Sequence, residues 1–164
     1  MRLPPVLLSL CILFSACGPG DPRALTDQGA SALASGDSTK ARECFEQALA
    51  GLAPGDAQYL RASMGRFQAL VRGEPESARK EFLAFAEVQA ASLNEGHFGL
   101  MVGEFLRRDR TAEAIDVMDA GVKAFPKSEA MLAIRKKVEE QARSAKDPAA
   151  LQKLKGLGYI GEDK

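Results

Sequence analysis

Side chains that do chemistry near neutral pH are sparse in this chain: it holds three cysteines and one histidine. Because His97 stands alone, no histidine cluster can hold a metal and no second imidazole can relay a proton. A Ser–His–Asp triad can be drawn on paper around His97, but no GxSxG-type turn presents a nucleophilic serine. Glycine-rich phosphate loops of the P-loop or dinucleotide type are missing as well. The adjacent carboxylates Glu139 and Glu140 fall on a polar helix surface, where no apolar setting raises a carboxylate pKa. Catalysis is therefore not expected, and no metal, cofactor or small-molecule substrate is inferred. A small enzyme or enzyme subunit centred on His97 is the alternative. Cys44 lies on the apolar side of an expected helix and reads as a buried, inert thiol. That leaves Cys17 as the side chain whose setting asks for chemistry.

The stretch "LFSACGPGD" surrounds it. Arg2, the apolar run Val6 to Phe14 and the small pair Ser15-Ala16 follow the charged, apolar, small-residue order of a secretory signal peptide. The run is too short to span a bilayer, which needs roughly 20 apolar residues. Phe14-Ser15-Ala16-Cys17 resembles the lipobox of bacterial lipoproteins, with Phe14 where leucine is usual. The resemblance implies cleavage before Cys17, a diacylglyceryl group on its thiol and an acylated amine. Two or three acyl chains on one residue anchor a protein stably, at ~0.8 kcal/mol per buried methylene. It implies a cell-envelope address, with Gly18 rather than aspartate after the cysteine pointing to the outer membrane, facing the periplasm. The inner membrane or a secreted product are the alternatives. Residues 1–16 are thus expected to be discarded, and 17–22 to be lipid site and tether, since Gly18, Pro19, Gly20 and Pro22 suit no regular element.

The elements that follow are expected to be helices. Hydrophobic content is 46% and charged content 27%, with 22 basic and 22 acidic residues, so no basic excess points to nucleic acid. Apolar stripes at helical spacing recur between turn signals, and no stretch sustains two-residue alternation. "GASALASGDSTKARECFEQALAGLAPGD" resembles the tetratricopeptide repeat, with Gly29, Gly36, Ala41, Phe45 and Ala48 at its small, turn and aromatic positions. A second copy offers Gly73, Ala78 and Phe82, with Arg66 where glycine is expected; a third offers Ala114, Met118, Gly121 and Pro126. The alanines at 41, 78 and 114 are 37 and 36 apart, against a family period of ~34.

The resemblance implies an all-α solenoid of about three antiparallel helix pairs over residues 23–126, closed by a capping helix at 127–147. A separate tail, 148–164, is expected beyond Pro148. Its "LKGLGYIG" is similar to a short segment near the end of the sulfatase catalytic domain, whose metal ligands and nucleophile have no room here.

On the same resemblance, a concave groove holds an extended or helical segment of a protein partner. Leu60, Ser63, Phe67 and Leu70 are expected on its wall, a more apolar set than a solvated face requires. Gly96, Gly99 and Gly103 form one bare helical face, at roughly 1 kcal/mol each relative to alanine. Either a partner approaches that backbone, or the glycines admit Phe67 or Leu70 from the preceding pair. The sequence points to a lipid-anchored interaction module that assembles or scaffolds envelope machinery. A purely structural subunit, its groove filled by residues 148–164, is a further alternative.

Overall fold

Aspartate, asparagine and serine stand where most of the helices begin, and the side chains do what those residue types favour. In the computed structural model, which describes residues 20–161, Asp21, Asp37, Asp56, Asn94, Ser128 and Asp147 each accept a hydrogen bond from a backbone N–H of the first turn. Each such cap contributes about 1 kcal/mol. The helices are α1 (Pro22–Ala34), α2 (Ser38–Ala50), α3 (Ala57–Gly73), α4 (Pro75–Val88), α5 (Glu95–Leu106), α6 (Thr111–Ala124), α7 (Glu129–Ser144) and α8 (Pro148–Gly156). A single 3-10 turn, Ala90–Ser92, precedes α5. The protein is all-α, and no strand occurs among the described residues. Cys17 and the leader lie outside them. The expected tether ends early, because Asp21 already caps α1 and Pro22 opens it.

Three first helices of pairs stop in the same way. Gly36, Asp109 and Lys146 adopt left-handed backbone, with φ of 90°, 56° and 51°. The next N–H then reaches back across the last turn, from Asp37 to Ala32 (2.9 Å), Arg110 to Phe105 (3.0 Å) and Asp147 to Ala142 (3.2 Å). Connections this short force the following helix to reverse. Consecutive helices pack on one another except α4 and α5, between which the 3-10 turn intervenes; in addition α1 packs on α3, α3 on α5, α5 on α7, α4 on α6 and α6 on α8. The helices therefore stand as a row of hairpins in which each touches only near neighbours.

Small residues set the spacing inside the row. Ala41, Ala78, Ala114 and Ala150 are fully buried, at intervals of 37, 36 and 36 residues. Four positions after each comes a large buried side chain: Phe45, Phe82, Met118 and Leu154. Phe45 is seated between α1 and α3 on two glycines. A Cβ on Gly29 would stand 2.8 Å from its ring, and one on Gly65 would stand 2.3 Å from it. Gly65, not position 66, is the second copy of the Gly29 site; Arg66 instead bridges Glu46 (3.2 Å) and Glu81 (2.6 Å). Phe82 meets Phe67 and Phe98 edge-on, with centroids 5.7 and 5.3 Å apart.

The C-terminal region is a further hairpin rather than a single capping helix with a separate tail. α7 and α8 make a fourth hairpin, with α8 packed on α6 and α7. Pro148 starts α8 at its first position, where the missing N–H costs nothing. The "LKGLGYIG" segment ends that helix: Gly158 takes φ of 77°, and Tyr159 N–H donates to Leu154 C=O at 3.0 Å. Tyr159 OH then donates to Asp119 at 2.9 Å, while Arg135 lies over its ring at 5.5 Å. Burial and the Asp119 bond push the phenol pKa up to about 12. Lys153 adds an ion pair to Asp116 at 2.7 Å. The described part of the tail is thus committed to α6 and α7.

Candidate binding cleft

Packing first helix against first helix leaves a trough between α1, α3 and α5. It encloses about 590 Å³, floored by Leu33, Phe45, Leu60, Met64 and Leu100, with Ala30 and Ala34 on the α1 side. The α3 wall is one stripe, Leu60, Met64, Gln68 and Arg72, each a helical turn from the next. Leu100 is 39% exposed, high for a leucine in mid-helix. No described residue of α7, α8 or the tail lines this cleft, so the described part of the tail does not fill it.

Of the residues expected on the groove wall, Leu60 lines it. Ser63, Phe67 and Leu70 are buried instead, and Phe67 packs against Phe82 and Phe85. Gly96, Gly99 and Gly103 do not line the cleft, but the residue after each does: His97, Leu100 and Glu104. The expected face is therefore about one residue out of phase, or 100° around the helix. Gly99 makes room for neither Phe67 nor Leu70. Its Cβ would stand 2.8 Å from Cδ1 of Ile134 on α7, so the small residue lets the next hairpin close in. Met64, Gln68, Arg72 and Leu100 were missed as wall residues. The signal that finds them is Gly65, since pairing it with Gly29 resets the phase of α3.

Polar groups are few in the cleft, and most are occupied. Arg61 pairs with Asp27 at 2.8 Å. Glu104 is held by Arg107 through one carboxylate oxygen and by Arg108 at 2.7 Å through the other. His97 and Asn94 form a reciprocal cap: Asn94 Oδ1 accepts from His97 N–H (3.3 Å), and His97 Nδ1 accepts from Asn94 N–H (3.1 Å). An accepting Nδ1 requires the neutral ring, and burial lowers the His97 pKa in keeping with that. Only Nε2 remains for any other task. Arg72 and Gln68 differ, for neither makes a hydrogen bond or ion pair among the described residues. Arg72 Nε is shut off from water without a partner.

Among the described residues, no group of three or more His, Cys, Asp or Glu is placed to hold a metal ion. Cys44 is buried in α2. No described helix is long and apolar enough to cross a membrane. No protein-family model matches the chain, and no curated protein or solved structure matches it either.

Proposed function

We propose that this protein is a lipid-anchored helical-repeat module of the bacterial cell envelope that binds a segment of another protein in its cleft. The observation that carries this reading is the trough between α1, α3 and α5, whose apolar wall is drawn from three successive hairpins and left uncovered by the rest of the described chain. A row of hairpins with a small residue at 41, 78, 114 and 150, and a bulky one four positions on, supports a tetratricopeptide-type solenoid. The intervals are two or three residues longer than the family's ~34. The lipobox-like Phe14-Ser15-Ala16-Cys17 supports anchoring through Cys17, with acyl chains as the only non-protein group, and Gly18 favours the outer membrane.

Binding rather than catalysis fits the cleft's polar inventory. The imidazole of His97 is spent on capping α5, and among the described residues no acid or nucleophile is hydrogen-bonded to it. Nucleic acid is not favoured as partner, because the wall is mainly apolar and carries few cations.

Two measurements test the proposal. Mass spectrometry of the N-terminal peptide from native membranes should find Cys17 first and triply or doubly acylated; an unmodified N-terminus elsewhere overturns the anchor. Leu100→Asp should abolish recovery of the partner while leaving the melting temperature unchanged. Full recovery with that variant overturns the cleft.

A further inference from the structure

We infer that the cleft's occupant is a peptide segment that sets a carboxylate against Arg72 and Gln68 and an apolar side chain against Leu60, Met64 and Leu100. The inference rests on the cleft being the binding site and adds the chemistry of what enters it. Charge left over on the cleft wall selects that chemistry. Glu104 is spent on Arg107 and Arg108, Arg61 on Asp27, and His97 on Asn94. Arg72 is the one wall cation with no partner among the described residues.

Its Nε is buried and unbonded, so the guanidinium would meet an acceptor in the cleft through its Nη groups. Gln68, one turn earlier on the same face, brings a second unused donor. A guanidinium fork beside a side-chain amide suits a carboxylate, and suits neither a cation nor an uncharged group as well.

The stripe also fixes a spacing. Met64 and Arg72 are eight residues apart on α3, or ~12 Å along its axis. An extended segment covers that in three or four residues and a helical one in about two turns. The occupant is thus an apolar anchor with an Asp or Glu at that distance.

Arg72 also lies against the end of α1, its Nη1 4.0 Å from where a Cβ on Gly36 would stand. A purely structural role there would show in stability and not in selectivity. The test uses a random dodecapeptide phage library panned on the full chain, followed by synthetic peptides from the enriched clones. The expected result is clones that pair an apolar residue with Asp or Glu at the stated spacing. Replacing that acid by its amide, or Arg72→Gln in the protein, then weakens binding about tenfold or more, the two changes together costing little more than one. Arg72→Glu should prefer the peptide with lysine in place of the acid. Peptides that need Leu100 but show no acid, and bind R72Q unchanged, overturn this inference and leave the cleft intact. Peptides indifferent to Leu100→Asp overturn both.

Discussion

Two side chains show at residue scale how tightly the row is specified. Gly65 is needed because the Phe45 ring occupies the space its Cβ would take, 2.3 Å from the ring. Gly65→Ala should therefore lower unfolding stability by ~1–3 kcal/mol, the usual cost of overpacking. Gly73 has nothing within 4 Å and sits at the end of α3. Gly73→Ala should be neutral or stabilising by up to about 1 kcal/mol. Urea melts of the two variants check both signs. The contrast was only half legible in the sequence. Gly29 and Phe45 were readable as repeat positions, but one extra residue inside the second copy, between Gly65 and Ala78, moved the glycine from 66 to 65 and hid it.

His97 carries the pH dependence. Its pKa is lowered by burial from the ordinary value of 6.5, and its Nδ1 must stay unprotonated to accept from Asn94. The contribution is complete above pH ~6.5, where folded and unfolded rings are both neutral, and it is lost as pH falls below that value. Stability measured at pH 7.5 and 5.5 should fall more for the wild type than for His97→Gln. An equal fall would mean that the cap is not sensed by the ring.

At the scale of elements, the fourth hairpin is the main revision. Its alanine at 150 and leucine at 154 repeat the interval of the earlier copies, so the signal was present in the spacing. It was masked by Pro148, which reads as a breaker but opens α8, and by Lys146, which takes the left-handed place that Gly36 takes in the first hairpin. Asp109 fills that place in the third hairpin, a role that Asp tolerates better than most residues. Leu154 is fully buried between α8 and the body. Leu154→Ala should cost ~2–5 kcal/mol, and truncation after residue 147 should cost at least as much. Neither change touches the cleft wall, so partner affinity of the folded fraction should persist. Loss of affinity without loss of stability would place the tail at the binding site instead.

At the scale of the whole molecule, the buried apolar side chains of the described residues form two groups, and the cleft crosses the boundary. Ala32, Ala41, Phe45, Ala48, Ala62 and Ala69 pack the first hairpin onto one face of α3. A larger group runs from Met64 on α3 through to Leu154 on α8. α3 belongs to both, which makes it the shared wall of the stack and the central wall of the cleft. Helix class was readable from apolar spacing alone, whereas the pairing of helices was expected from the small and aromatic positions of the repeat-like stretches, and for three pairs only. The face that each first helix turns to the cleft was not, because that depends on how close one hairpin lies to the next, and Gly65 and Gly99 set that distance. Sequence periodicity reports that a helix has a buried stripe, but a helix with neighbours on two sides has nearly two. Ser63, Phe67 and Leu70 belong to the stripe facing the core, and Leu60, Met64 and Gln68 to the one facing the cleft.

That the cleft is where a partner binds is most directly tested by site-specific photocrosslinking in native membranes. A photoreactive residue at Leu100 probes the cleft, and one at Val88, 80% exposed and away from it, probes the outside. A discrete adduct is expected from position 100, removed by Leu60→Lys, and none from position 88. Equal adducts from both positions, or an adduct from 88 alone, would contradict binding in the cleft.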